Sequence, residues 1–253
     1  MQVEVAKFSH IGNRAENQDM VEVLIGDHTV LGIVIDGMGG HSAGAEAARV
    51  SVATIAERFR NSQQPLPFPE RFLVRAVAEA HDALVQLGSD DHLDDRPRAT
   101  CALCLVQGDV AYWAHVGDSR IYHLRGGKLL QRTRDHTHVE MLLQEGLIEE
   151  SEIASHPMRS YVDQCLGGEA SRPTVSVVGP MQLERDDIVL ACSDGVWGGA
   201  RDHRLAGAID YEQDQGTLEE QLEALVNGAV TANSPSSDNA SAVAIRWVDS
   251  DPN

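Results

Sequence analysis

The chain has 253 residues, of which 42 % are hydrophobic and 23 % charged, a composition typical of one large globular domain or two small ones. Its 39 acidic and 20 basic residues give a formal net charge of −19, and this field repels the phosphates of nucleic acids and anionic membranes. No stretch approaches the roughly 20 apolar residues that span a bilayer, and residues 1–10 lack a secretory signal pattern. We therefore expect a cytoplasmic protein with neither a nucleic-acid nor a membrane partner.

The first third of the chain contains strand patterns followed by two helical patterns. Alternating apolar residues indicate strands, and apolar residues three and four apart indicate helices. The predicted elements are strands at 3–7, 21–25 and 29–35 and helices at 43–60 and 70–87. The two later strands form a hairpin around 26–28, and the proline-rich segment 63–70 connects the helices.

Strands joined by short turns dominate the remainder, after an acidic loop at 88–98. Further strands are predicted at 100–106, 110–116, 119–124, 128–132, 174–178, 187–192 and 240–248. Helices are predicted at 137–155 with a break near Gly146, at 203–210 and at 217–231, and the segment 156–172 is irregular. Short turns favour antiparallel pairing, and no linker is visible. We predict a single α+β domain over 1–253, with sheets packed together and helices outside.

Cys101 and Cys104 form a CxxC motif inside a predicted strand. Residues three apart on a strand point to opposite faces of the sheet, which argues against a shared metal ion or a redox pair at these two side chains. Four cysteines are also too few for a disulfide scaffold in a chain of this length. We therefore expect buried, reduced thiols.

Five aspartates lie at the ends of predicted strands, next to glycine or loop backbone. They are Asp19, Asp36, Asp118, Asp194 and Asp238. Taken singly, an aspartate in such a place is usually a turn or capping residue. Gathered together, the carboxylates would repel each other and take up protons unless a cation lay among them. Mg²⁺ and Mn²⁺ prefer oxygen ligands of this kind, so a divalent-metal site is predicted if the fold brings the aspartates together.

The blocks that carry these aspartates resemble, in order and spacing, the bacterial branch of the PP2C-type (PPM) protein serine/threonine phosphatases. The blocks are GNRAENQD (12–19), VIDGMGGHSAG (34–44), HVGDSRIY (115–122), ACSDGVW (191–197) and SDNAS (237–241). The resemblance covers about residues 3–248. It implies a four-layer α-β-β-α sandwich with a dinuclear Mn²⁺ or Mg²⁺ centre at one end, and a flap subdomain at about 137–170 beside the cleft.

The resemblance also implies ligands for the two core metal ions. These are Asp36, Gly37, Asp194 and Asp238. Asp36 would bridge both ions, and Gly37 would bind the second ion through its backbone carbonyl. Asp19 would hold metal-bound water, and Asp118 with Asp194 would bind a third, weaker ion. Two such ions lower the pKa of a shared water, which can then attack phosphorus in line with the leaving serine or threonine oxygen.

The same resemblance implies that other residues bind the substrate and donate a proton to the leaving group. Arg14 would grip the substrate phosphate, since a guanidinium contacts two oxygens in one plane. His41 is a candidate general acid, although the eukaryotic branch places its histidine where this chain has Met38. Gln18 stands where many relatives have glutamate, and Asn239 is expected to orient the loop of Asp238.

Two other catalytic interpretations share these blocks. The loop Gly37–Gly39 after a strand has some features of a dinucleotide-binding turn, but Glu57 lies inside a predicted helix and Asp36 would repel a pyrophosphate. The segment around Ser193 is close to the GxSxG pattern of serine hydrolases but lacks its first glycine.

The preferred hypothesis is a monomeric, metal-dependent phosphatase whose partners are phosphorylated proteins. In relatives, these partners often include a cognate Ser/Thr kinase and its targets. A catalytically weak binding or regulatory module of the same fold, and a phosphatase of small phosphoesters, are the alternatives.

Overall fold

Two antiparallel sheets lie at the centre of the computed structural model, which describes residues 1–39, 42–90, 92–153, 156–159, 161–200, 202–210 and 216–249. The strands are β1 (Gln2–His10), β2 (Asp19–Gly26), β3 (Thr29–Met38), β4 (Arg98–Ala99), β5 (Cys101–Gln107), β6 (Val110–Val116), β7 (Arg120–Arg125), β8 (Lys128–Arg132), β9 (Leu166–Gly167), β10 (Ser176–Gln182), β11 (Ile188–Cys192) and β12 (Ala240–Asp249). The helices are α1 (Ser42–Arg60), α2 (Pro69–Leu87), α3 (His138–Gln144), α4 (Glu150–Ile153), α5 (Asp194–Trp197), α6 (Asp202–Ala208) and α7 (Leu218–Ala232), with a 3₁₀ turn at Leu93–Asp95.

One sheet has the strand order β1-β12-β11-β7-β8, and the other has the order β10-β6-β5-β3-β4-β9, with β2 paired to β3. Every pairing between the described strands is antiparallel. This pairing excludes the parallel sheet of a dinucleotide-binding fold.

Three hydrophobic clusters separate four layers of structure. One cluster lies between the α1–α2 pair and the sheet of β3, the second lies between the two sheets, and the third lies between the other sheet and the helices that include α7. Alternation along β3 supplies two of these clusters, since Ile33 and Ile35 face α1 and α2 whereas Val30 and Val34 face the opposite sheet. Full burial of each such side chain contributes about 1.5–3 kcal/mol to stability. The predicted α-β-β-α sandwich is confirmed.

The paired cysteines follow the same alternation. Cys101 lies in the cluster beneath the helices and Cys104 lies in the cluster between the sheets, and both are free thiols. Burial raises the pKa of each thiol, that of Cys104 to about 12. The prediction of two separate, buried and reduced cysteines is confirmed.

Most predicted elements occur within a few residues of their expected bounds, and the differences concern short or irregular segments. The predicted helix at 137–155 is divided into α3 and α4, with Gly146 at a φ of 69° in the expected break. The strand predicted at 174–178 is observed at Ser176–Gln182, and its pairing with β6 is irregular between Val178 and Met181, around Pro180. No described helix is long and apolar enough to cross a membrane.

Candidate active site

Four of the five aspartates line one cleft at the end of the two sheets. The cleft has a volume of about 360 Å³, and its acidic lining residues include Asp36, Asp118, Asp194 and Asp238. These residues come from the end of β3, the loop before β7, the start of α5 and the loop before β12. The structure therefore brings together carboxylates that are as many as 202 positions apart in the chain.

Asp19 lies beside this cleft, directly opposite Asp36 in the antiparallel pair of β2 and β3. Its carboxylate accepts a hydrogen bond of 2.7 Å from the Ser193 hydroxyl. Burial raises the pKa of Asp19 to about 6, although the Ser193 hydrogen bond opposes the shift. Burial also raises the pKa of Asp36 well above its usual value, and repulsion from Asp19 and Asp194 adds to that effect.

The pKa values of two further carboxyl groups of the cleft, Asp194 and Asp118, are raised as well. Burial and then the charge of Asp118 raise the pKa of Asp194 well above its usual value. Burial and then the charge of Asp135 raise the pKa of Asp118 to about 6. Without a cation, this arrangement holds protons; with divalent cations, the same oxygens become ligands.

The cleft offers carboxylate and backbone carbonyl oxygens, the ligand type that divalent cations such as Mg²⁺ and Mn²⁺ prefer. In the described part of the chain, no three His, Cys, Asp or Glu side chains are already arranged as a complete metal site in the ion-free structure. Mg²⁺ is commonly bound by one or two carboxylates together with water. Carboxylate ligands that left coordination positions to water would suit hydrolysis better than a closed structural metal site does.

Glycine at position 37 permits a close contact between the end of β3 and the start of α1. A Cβ atom there would lie 1.9 Å from the Gly44 backbone oxygen, so no other residue fits without moving the helix. The Gly37 N–H donates to the Gln18 carbonyl at 3.0 Å, and the Thr100 N–H donates to the Asp36 carbonyl at 2.8 Å. These contacts fix the backbone that carries Asp36 into the cleft.

Asn239 joins the loop of Asp238 to the loop that precedes β2. Its side-chain oxygen accepts from the Gln18 N–H at 2.8 Å, and its side-chain amide donates to the Ile11 and Glu16 carbonyls at 2.8 and 3.0 Å. Its own N–H donates to an Asp238 carboxylate oxygen at 2.8 Å. This is the orienting position that the sequence predicts for Asn239.

Arg14 lies at the mouth of the cleft, with 59 % of its side chain exposed. Its guanidinium donates a 2.6 Å hydrogen bond to Asp238. An exposed ion pair of this kind contributes about 0–1 kcal/mol. The guanidinium can therefore exchange this carboxylate for another oxyanion at little cost.

The base of the predicted flap is connected to the loop of Asp118. The His136 N–H donates to the Gly117 carbonyl at 2.9 Å, and the His136 ring stacks on His115 with a centroid separation of 4.5 Å. Val162 follows in the same segment and lines the cleft. His41, the predicted general acid, lies outside the described residues.

Sequence patterns did not reveal several supporting contacts. Arg120 forms two hydrogen bonds with Asp135 at 2.8 and 2.7 Å and lies 3.7 Å above the Trp197 ring. Trp197 in turn donates to the Asp118 carbonyl at 2.9 Å. Arg120 belongs to the block 115–122, which marks its importance, but its partner could not be inferred from one sequence.

Ser193 is placed as a support and not as a nucleophile. Its hydroxyl donates to Asp19 and accepts from the Ser241 N–H at 3.0 Å, and the residue is fully buried. No histidine among the described residues contacts the Ser193 hydroxyl, so the base that a serine hydrolase requires is missing there. The serine-hydrolase interpretation is not supported.

Together, the four-layer sandwich and the acidic cleft at its end define a PP2C-type phosphatase architecture. Residues 8–225 match the family described as Protein phosphatase 2C, and the chain belongs to that family. The serine/threonine protein phosphatase PstP of Mycobacterium tuberculosis is 31 % identical over 239 residues, which cover 94 % of this chain and 43 % of PstP. The chain therefore spans less than half the length of that relative.

Solved structures show the same fold. The Streptococcus agalactiae serine/threonine phosphatase is 27 % identical, with a TM-score of 0.87 over 98 % of this chain and 100 % of that chain. The catalytic domain of PstP in complex with two manganese ions is 28 % identical, with a TM-score of 0.80 over 98 % of this chain and 99 % of that chain.

Proposed function

We propose that this protein hydrolyses phosphoserine and phosphothreonine in protein substrates, using two divalent cations, Mn²⁺ or Mg²⁺, held in the acidic cleft. The observation that carries the proposal is the convergence of Asp36, Asp194 and Asp238, which lie far apart in sequence, beside an arginine. The manganese complex of the related PstP domain supports the choice of cofactor.

Each carboxylate has a distinct place in the proposed centre. The charge of Asp36 is repelled by all four of the other aspartates, and this side chain would contact both cations, while Asp194 and Asp238 would complete the first site. The Gly37 carbonyl would serve the second site, and Asp118 with Asp194 would serve a weaker third site. The bound cations would lower the pKa of a water molecule and balance charge on the phosphoryl oxygens.

Asp19 would orient the attacking water by accepting a hydrogen bond from it. The Ser193 hydroxyl occupies one oxygen of the Asp19 carboxylate and fixes the direction of the other. A carboxylate held in this way can also take up a proton during attack.

Arg14 would bind the phosphoryl group at the mouth of the cleft. On substrate arrival, its planar donors would leave Asp238 and grip two phosphate oxygens. His41 would protonate the leaving serine or threonine oxygen. The flap at 137–170 would contact the substrate protein. We propose that the phosphatase acts as a monomer in the cytoplasm and that its substrates include a cognate Ser/Thr kinase.

Hydrolysis of para-nitrophenyl phosphate and of phosphothreonine peptides tests this proposal. We expect turnover with Mn²⁺, loss of turnover in EDTA, and recovery when Mn²⁺ is added back. A serine-directed acylating agent should have no effect. Turnover of the small ester without turnover of any phosphopeptide would favour a small-phosphoester phosphatase, and binding of phosphopeptides without turnover of either substrate would favour a non-catalytic module.

A further inference from the structure

A second concave site, distant from the acidic cleft, carries positive charge. It lies where the end of α1, the connector to α2 and the first turns of α2 meet, and it has a volume of about 250 Å³. We call it the arginine groove and define it by Arg58, Arg71, Arg75, Phe68 and Phe72. No acidic residue is among the described residues that line it, although the chain carries a net charge of −19.

Two of the three guanidinium groups in the arginine groove have no partner among the residues that the structure describes. Arg71 and Arg75 are exposed and form no ion pair or hydrogen bond with any residue in the described ranges. They lie four residues apart on α2 and therefore share one face, where like charges destabilise the helix slightly. An arrangement that costs stability in the free protein becomes favourable when an anion lies between the two groups.

The third guanidinium is fixed in place. Arg58 pairs with Glu79 and lies with its guanidinium carbon 5.8 Å from the centre of the Phe72 ring. Its Nε atom is buried without a hydrogen-bond partner in the described structure. Phe68, with 66 % of its surface exposed, forms an apolar edge beside these charges. Paired guanidinium groups beside an exposed aromatic ring suit a phosphorylated peptide segment better than a free inorganic ion.

The distance to the acidic cleft sets the length of such a ligand. Gly44 touches the cleft backbone at Gly37, whereas Arg58 lies near the other end of the same helix. At a rise of about 1.5 Å per residue, these two positions are about 21 Å apart. An extended chain covers that distance with about seven residues.

We propose that the arginine groove docks a second phosphorylated segment of the protein substrate, at least about seven residues from the phosphoresidue in the acidic cleft. This inference rests on the proposed phosphoprotein phosphatase function. Positive charge outside the catalytic cleft would then contribute to substrate selection, and the enzyme would prefer proteins that are phosphorylated at more than one position.

Peptide binding in EDTA tests the groove without turnover. Fluorescence anisotropy would measure the binding of a phosphothreonine peptide and of its unphosphorylated form to the Arg14→Ala variant. In EDTA, the acidic cleft of this variant has neither metal ions nor Arg14 to bind the phosphate. We expect the phosphopeptide to bind, and Arg71→Gln/Arg75→Gln to raise its Kd about tenfold or more, since hydrogen bonds between charged groups are the strong ones. The matched control, Arg204→Gln, removes an exposed charge from α6 on the opposite face of the sandwich and should leave the Kd unchanged.

Further variants and a kinetic experiment separate the possible outcomes. Arg71→Lys/Arg75→Lys keeps the charge but loses planar contacts, so it should give an intermediate Kd. With Mn²⁺, the Gln double variant should raise KM only for a peptide whose two phosphates are about seven or more residues apart, with kcat unchanged. Equal binding of both peptide forms, or an equal effect of Arg204→Gln, would overturn the groove proposal. Failure of the native protein to hydrolyse any phosphopeptide would overturn the catalytic proposal, while the anisotropy result would still decide the groove.

Discussion

Asp19 and Asp36 are direct cross-strand neighbours, and both lie next to the cleft that receives Asp194 and Asp238. Like charges placed opposite each other in a sheet are destabilising. Their position is explained if cations neutralise them when the protein works. The metal-free protein should therefore contain a defined electrostatic strain that metal binding removes.

Replacement of Asp36 by asparagine should separate stability from activity. Because the raised pKa of Asp36 means that its charge is disfavoured in the folded state, we expect Asp36→Asn to unfold at a higher temperature than the native protein in EDTA at pH 7.5. Turnover should fall by several orders of magnitude, and Mn²⁺ should stabilise the variant less. Thermal unfolding with and without metal measures this. A variant with normal turnover would refute the bridging role of Asp36.

Stability should depend on pH in a direction fixed by the raised pKa values. In the folded protein, burial raises the pKa values of Asp19 and Asp118 to about 6, above the ordinary aspartate value of 3.8. The folded state thus binds more protons than the unfolded state between these values, so stability in EDTA should fall as pH rises from about 4 through 6. The stabilisation by Mn²⁺ should grow over the same range. Thermal scans between about pH 4 and 8 would check this, and an Mn²⁺ effect that shrinks with rising pH would contradict it.

Removal of the Arg14 side chain should affect substrate binding more than the chemical step. Arg14→Ala should raise KM for phosphopeptides by about ten- to a hundredfold, because hydrogen bonds to a charged group are worth about 1.5–3 kcal/mol. Turnover at saturation should change little. Steady-state kinetics measures both constants, with Arg14→Lys as the charge-preserving control. A large fall in kcat at constant KM would instead place Arg14 in transition-state stabilisation alone.

Substitution of Ser193 should weaken the structure without abolishing catalysis. Ser193→Ala leaves Asp19 and the Ser241 N–H without their shared partner. We expect a loss of about 1–3 kcal/mol in unfolding free energy, as for other buried groups left without a hydrogen bond. Denaturant unfolding and turnover measured on the same sample would test this. Complete loss of activity in a folded variant would return Ser193 to the role of nucleophile.

Much of the architecture could be predicted because it depends on local patterns. Alternation in β3 and the three-and-four spacing in α1 and α2 are consequences of burial on one side of each element. The two-residue strands β4 and β9 were missed, since their pairing depends on neighbours distant in sequence and two residues show no periodicity. The helix α5 is one turn long and was missed for the same reason.

The acidic site was predictable to a similar extent. Glycine and loop residues beside strand ends marked all five aspartates, but only the fold shows that four of them line one cleft. Partners such as Asp135 for Arg120, or Ser193 for Asp19, depend on tertiary contacts over 15 and 174 positions. The arginine groove likewise depends on the packing of α1 against α2, which joins Arg58 to Arg71 and Arg75.

The most direct test of the central claim is an anomalous-difference map from crystals soaked in Mn²⁺. We predict two strong peaks in the acidic cleft, both in contact with Asp36, with Asp194 and Asp238 at one of them. The mechanism would be contradicted by a map without peaks in the cleft, provided that the protein preparation used for the crystals hydrolyses phosphopeptides.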